Sequence, residues 1–189
     1  MLASCACAAI RLAEYAILRV FEHGLFYEMQ QLDAYLEDED ATRALGGALA
    51  QVLVPGLTLH LHGDLGAGKT ALTRALLHAA GYVGPVKSPT YTLAEPYTVL
   101  LNKEAVEIIH FDLYRLSSPD EFLDAGFREY FNHGNICIVE WPEKAGAVLP
   151  APDLKIVLAV SGQGRDVQLH ALSDQGIQCL NRLTFRKKP

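Results

Sequence analysis

The sequence predicts an α/β fold, a three-layer sandwich around a mixed, partly parallel sheet that carries a hairpin at one edge. Three observations predict it. Leu57 to His62 alternates like a strand, runs straight into glycines, and gives way at Thr70 to a segment with Leu72, Leu76 and Leu77 on one helical face. Ile136 to Val139 is short and wholly apolar, the pattern of a central strand covered on both faces. Thr92 to Leu101 and Ala105 to Phe111 read as two strands about the polar turn Asn102-Lys103-Glu104, which supplies the hairpin.

The other elements follow in chain order. Residues 1–28 are rich in Ala and Leu, and Leu2-Ala3-Ser4-Cys5 has the letters of a lipoprotein cleavage site, but no basic or apolar leader precedes it. Charges at Arg11, Glu14, Arg19 and Glu22 break every apolar run before it reaches membrane-spanning length. Ile10, Ala13, Ile17, Val20 and Phe21 fall at helical spacing, so 1–28 reads as an extension forming an amphipathic helix. The organised domain is expected over residues 29–175. Acidic Glu37 to Asp40 precede the stripe Ala41, Leu45, Leu49 and Val52, which Pro55-Gly56 stops, giving a helix from about Asp40 to Leu53. Ser118-Pro119-Asp120-Glu121 opens a helix that Phe122, Leu123 and Phe127 can pack. Leu154 to Val160 and Asp166 to Leu172 form a late strand pair joined by Ser161-Gly162-Gln163-Gly164, and 176–189 reads as a basic tail.

Composition limits the function. The chain has 189 residues, half of them apolar and a fifth charged, which suits one domain with a real core. Its formal net charge of −6 argues against broad nucleic-acid binding, since that affinity comes from clustered Lys and Arg releasing phosphate counterions. Four cysteines make no C-x-x-C pair and no zinc spacing, so a reduced, cytoplasmic setting fits and Cys137 reads as a small hydrophobe. His60 and His62 share a strand face, where packing is the simpler reading than a metal pair.

The chemistry lies in Gly63-Asp64-Leu65-Gly66-Ala67-Gly68-Lys69-Thr70, which satisfies G-x-x-x-x-G-K-[ST] at every fixed position. The glycines let backbone N–H groups converge on phosphate oxygens, Lys69 reaches the β and γ phosphates, and the Thr70 hydroxyl can ligate Mg²⁺. The following helix adds its positive N-terminus to the same anion site. The fold is therefore P-loop NTPase-like. Hydrolysis or transfer also needs a carboxylate at the end of a neighbouring strand, and the sequence offers Asp112 after Ile108-Ile109-His110-Phe111 and Glu140 after Ile136 to Val139. Guanine specificity is disfavoured, because Asn102-Lys103-Glu104-Ala105 lacks the acid of N-K-x-D. Ser161 to Gly164 lacks the order of a transporter signature loop, and Arg115 and Arg128 are too sparse for a kinase lid.

Four separate motifs in order now point to one family. Gly63 to Thr70, Ser88-Pro89-Thr90 with Tyr91-Thr92-Leu93, His110-Phe111-Asp112-Leu113-Tyr114-Arg115-Leu116, and Val139-Glu140-Trp141-Pro142-Glu143 with Leu149-Pro150 together resemble the TsaE family. That family is the bacterial P-loop ATPase of tRNA threonylcarbamoyladenosine modification, and the likeness covers about Met29 to Leu172. It implies ATP and Mg²⁺ as cofactors. Asp64, Leu65, Gly66, Ala67, Gly68, Lys69, Thr70 and Ala71 would cradle the nucleotide, and Thr70 and Glu140 would hold the metal. Asp112 would orient or polarise the attacking water, and Thr90 would sense the γ-phosphate. Trp141 and Tyr114 read equally as core or as contacts, and Arg115 leans toward a structural pair with Glu121. The resemblance also implies a TsaD-like transferase and a TsaB-like subunit as partners, with tRNA reached only through that assembly and no membrane. Hydrolysis by this chain would reset the assembly between rounds of threonylcarbamoyl transfer to the adenosine beside the anticodon. A small-molecule phosphotransferase and a non-hydrolysing nucleotide-binding regulator are the alternatives.

Overall fold

Every second residue of the central strands faces a different helical layer, which is why those strands are apolar throughout. In the computed structural model, which describes residues 10–13, 17–22 and 25–183, the elements run in this order. Strands β1 (Ile10–Ala13), β2 (Ile17–Glu22) and β3 (Leu25–Leu36) lead to helix α1 (Glu39–Val52), then β4 (Thr58–His62), α2 (Lys69–Ala79), β5 (Ala94–Leu101) and β6 (Glu104–Asp112). Helix α3 (Pro119–Asp124), β7 (Ile136–Glu140), β8 (Leu154–Ser161), β9 (Gly164–Ala171) and α4 (Asp174–Arg182) complete the chain, with short 3₁₀ turns at Phe127–Tyr130, Pro142–Lys144 and Gly146–Val148.

The strands form one mixed sheet in the order β1-β3-β9-β8-β4-β7-β6-β5, with β2 also paired to β3. β4 is parallel to both neighbours, β7 and β8, and β6 is parallel to β7. The β5–β6 hairpin closes one edge as the sequence predicts, turning through Asn102 and Lys103, which both have positive φ. On one face Ile108, Ile136, Ile138, Leu59 and Leu61 join the core beneath α1, α2 and α4. On the other, Ile109, Phe111, Cys137 and Val139 pack with Phe122 of α3 and Leu149. Burial pushes the Cys137 thiol up to about 12, so it is an inert core group.

Helix boundaries follow local chemistry. The Asp38 carboxylate accepts the Ala41 N–H at 2.8 Å, capping α1, and Ser118 and Ser173 cap α3 and α4 in the same way.

Two expectations need correction. The stretch read as an amphipathic helix is extended: β1 and β2 pair antiparallel with β3. Ile17, Val20 and Phe21 are branched or aromatic and favour a pleated backbone, and β3 supplies the partner. β3 itself begins before Met29, and Gln31 to Leu36 pair with β9. The second correction concerns the start of the basic tail at 176, where α4 docks with Cys179, Leu180 and Leu183 buried. A Cβ on Gly176 would meet the Asp153 carbonyl oxygen at 2.0 Å, so this close approach of α4 to the residue before β8 requires glycine. Leu2 to Cys5 and Arg186 to Lys188 lie outside the described residues.

Candidate nucleotide-binding site

Parallel pairing fixes the register that assembles the site. Asp112 and Glu140 are register partners at the C-terminal ends of β6 and β7, and Glu140 is also the partner of Leu61 on β4, just before the glycine loop. Glu140 continues the face of Ile136 and Ile138 toward α2, and Asp112 that of Ile108 and His110. Both carboxylates are buried, at 4% and 2% exposure for Asp112 and Glu140. Buried charges persist only with partners.

Those partners separate the two acids. Glu140 Oε2 accepts from Thr70 Oγ1 at 3.0 Å, and its Oε1 lies 2.8 Å from His110 Nε2. Because a carboxylate can only accept, Nε2 carries the hydrogen. Asp112 Oδ2 accepts from Thr90 Oγ1 at 2.8 Å and from Ser88 Oγ, while its Oδ1 accepts the Tyr114 backbone N–H at 3.1 Å. Thus the strand-end acid nearer the loop is tied to the first turn of α2, and the other to the Ser88-Pro89-Thr90 loop.

The glycine loop wraps as its sequence demands. Gly66 and Gly68 have φ of +81° and +105°, and a Cβ on Gly63 would meet the Leu158 carbonyl oxygen at 2.2 Å. Lys69 folds back so that Nζ donates to the Gly63 and Asp64 carbonyls at 2.5 and 2.9 Å, and it lies 3.8 Å from the centre of the Trp141 ring. Burial lowers its pKa, while Glu140, Glu143, Asp112 and Asp64 oppose that shift. Trp141 occupies the left-handed region at φ +58°, a strained conformation for a bulky residue, which turns the chain sharply after β7. Its ring also lies 5.0 Å from that of Tyr114.

Together these groups line a cavity of about 570 Å³. Among the residues expected from the sequence, Leu65, Gly66, Gly68, Lys69, Thr70, Ala71, Thr90, Asp112 and Glu140 all line it. Ala67 is buried and lines no part of it, while Asp64 turns its backbone carbonyl to Lys69. Trp141 and Tyr114 both line the cavity, so neither is plain core. Arg115 does not make the expected pair: it lies over the Tyr91 ring at 4.6 Å and faces the cavity, and Glu121 accepts the Ser117 N–H instead. Two residues were missed. His110 stands two positions before Asp112 and so shares its face of β6, a spacing that the sequence does show. Arg165, at the start of β9, reaches the loop across the sheet, and nothing local in its sequence announces that.

The donor set fits a hydrated Mg²⁺ and a polyphosphate. A hydroxyl and a carboxylate oxygen converge 3.0 Å apart at a helix N-terminus, beside a loop whose Gly66 and Gly68 adopt the left-handed backbone that phosphate-binding loops use. The sheet order, the glycine loop and the strand-end acids define a P-loop protein. A family model described as "Threonylcarbamoyl adenosine biosynthesis protein TsaE" matches residues 36–167. The chain belongs to the TsaE family. It is similar to the tRNA threonylcarbamoyladenosine biosynthesis protein TsaE of Haemophilus influenzae, with 40% identity over 78% of this chain and 94% of that protein. The protein of the same name from Bacillus subtilis is 34% identical over 78% of this chain and 90% of its own length. Among solved structures, Bacillus subtilis YdiB superposes with a TM-score of 0.68 at 26% identity, covering 83% of this chain and 96% of that one. Among the described residues, no helix is long and apolar enough to cross a membrane.

Proposed function

We propose that this chain hydrolyses ATP with Mg²⁺ and thereby supports threonylcarbamoyl transfer to the adenosine next to the anticodon of tRNA, acting with a TsaD-like transferase and a TsaB-like subunit in the cytoplasm. The observation that carries the ATPase reading is the chain of contacts from Thr70 through Glu140 to His110, with Asp112 beside it and held by Ser88 and Thr90. The pathway reading rests on the family.

The loop amides and Lys69 bind the phosphates, and Lys69 leaves its two carbonyl partners to do so. Thr70 and Glu140 would hold Mg²⁺, which would supply neutralisation of the phosphate charge. Asp112 orients the attacking water and accepts its proton once Thr90 and Ser88, its donors at Oδ2, release it. Thr90 then has its hydroxyl free to sense the γ-phosphate. Trp141 and Tyr114 line the site with their rings 5.0 Å apart.

The test is steady-state phosphate release from Mg·ATP without an added acceptor, with the two partners added singly and together. Release that needs no acceptor and ceases in Lys69→Ala supports a hydrolase. Phosphate that appears only on a small-molecule acceptor would replace it with a phosphotransferase, and binding without turnover in the full assembly would leave a regulator.

A further inference from the structure

The cavity has chemically different ends. Thr70, Asp112 and Glu140 stand on the side of β6 and β7, while Arg165 enters from β9, beyond β8 on the other side of β4. Arg165 Nε donates to the Ala67 carbonyl at 2.7 Å, and its Nε, Cδ and Cζ would lie 2.8, 3.2 and 3.5 Å from a Cβ on Gly68. The side chain thus fills the space that the glycine leaves open. It is half-buried, lines the cavity, and forms no ion pair among the described residues. One bond fixes the guanidinium against the loop and leaves the rest of its fork unengaged.

We propose that Arg165 is the base-side contact of the bound nucleotide, with its guanidinium stacked on the purine ring. This deepens the nucleotide reading above and rests on it. Lys69, Thr70 and the two acids claim the terminal phosphates and the metal, so the nucleoside leaves the loop over the opposite wall, where Arg165 stands. A planar, delocalised cation stacks on an aromatic face as an ammonium cannot, and the bond to Ala67 holds its plane in place.

The experiment is calorimetric titration of the full chain with Mg·ADP and, separately, with Mg·tripolyphosphate, which has phosphates but no base. Arg165→Met keeps the apolar stem, Arg165→Lys keeps the charge, and thermal melting checks that both fold. The expected result is an ADP Kd raised about tenfold in both variants with tripolyphosphate affinity unchanged. Equal weakening of both ligands would show that Arg165 only braces the loop through Ala67, and unchanged ADP affinity would show that it touches no ligand. Recovery of ADP binding in Arg165→Lys would show a point charge rather than stacking. Any of these overturns the inference while leaving the nucleotide site standing. A wild-type chain that bound neither ligand would remove the nucleotide reading itself, and this inference with it.

Discussion

Asp112 and Glu140 are register partners across the parallel strands β6 and β7, so two buried carboxylates stand side by side, yet they share no partner. The division of contacts gives them separable roles. Glu140→Gln keeps the shape and removes the charge beside Thr70, so it should raise the Mg²⁺ concentration needed for turnover by at least about tenfold. Asp112→Asn should leave nucleotide and metal binding in place and lower kcat by about a hundredfold or more. Mn²⁺ binding followed by electron paramagnetic resonance, alongside phosphate release, distinguishes the two. Loss of metal binding in Asp112→Asn would reverse the assignment.

His110 sets the orientation of Glu140. Its Nε2 is one of two partners of a carboxylate that has almost no access to water, so His110→Ala leaves Oε1 without a donor. On the proposed metal role of Glu140, the expected effect is a metal affinity about 10- to 100-fold weaker, the range for removing a partner of a metal-ligating group. His110→Gln places an N–H in similar reach and should recover part of it. Equal metal binding in the wild type and the alanine variant would leave His110 a packing residue.

The sequence and the structure diverge where long-range contacts decide. Gly63 to Thr70, the strand-end acids and the edge hairpin were legible because each is a local pattern: spacing, alternation, a polar turn. β1, β2 and α4 were not. The segment 10–22 has residues compatible with either period, and pairing with β3 settled it. Helix α4 contains Gly176, whose role is visible only against Asp153. Arg165 belongs to the site through the crossing of β9 beside β8, a relationship between residues almost a hundred positions apart.

The buried His60 predicts acid sensitivity that is unrelated to catalysis. It is 6% exposed, its Nε2 has no hydrogen-bond partner, and burial, aided by His62, lowers its pKa from 6.5 to about 4. A lowered histidine pKa means that protons prefer the unfolded chain. Its contribution to stability is therefore complete above about pH 6.5 and is lost as the pH falls toward 4. Between pH 7 and 5 this amounts to about 2 kcal/mol. His60→Leu should flatten that part of the stability curve in chemical denaturation at the two pH values. A variant as acid-sensitive as the wild type would assign the effect elsewhere.

Truncation at the N-terminus should show a sharp boundary inside β3. Residues 31–36 pair with β9, and Leu32 and Leu36 are fully buried, whereas the pairing of Leu25 to Gln30 is with β2. Deleting residues 1–28 keeps every pairing with β9 and should shift the Tm by only a few degrees, at roughly 1 kcal/mol or less. Deleting 1–36 removes two buried leucines, each contributing roughly 2 kcal/mol, and strips β9 of its neighbour, so the Tm should fall by more than about 10 °C. Differential scanning calorimetry of the two truncations decides it. A large loss in the shorter deletion would make β1 and β2 part of the cooperative unit.

The contact between Thr90 and Asp112 predicts dependence on partners. In this structure Thr90 and Ser88 both donate to Asp112 Oδ2, the oxygen that would receive a water in the proposed hydrolysis. The same loop carries Tyr91, which is 84% exposed and lies beneath Arg115, a residue that lines the cavity. A surface of that kind offers a handle by which a bound subunit can draw Thr90 away from Asp112, and a ligand or partner shifts such an equilibrium only by contacting one state better than the other. The isolated chain should therefore release phosphate slowly, and TsaD-like and TsaB-like partners together should raise the rate at least about tenfold. Thr90→Ala removes one hydroxyl from Asp112 but also the group proposed to sense the γ-phosphate, so the basal rate should change little while most of the stimulation disappears and ATP binding persists. Tyr91→Ala, which touches no phosphate, should weaken stimulation through the partner's affinity, visible as a higher partner concentration at half-maximal rate with the same plateau. Steady-state phosphate release across a titration of the partners reads both quantities. Full activity in the isolated chain, indifferent to partners and to Thr90, would show that Asp112 is already free to work, and the reset role would have to be given up for that of an independent phosphohydrolase.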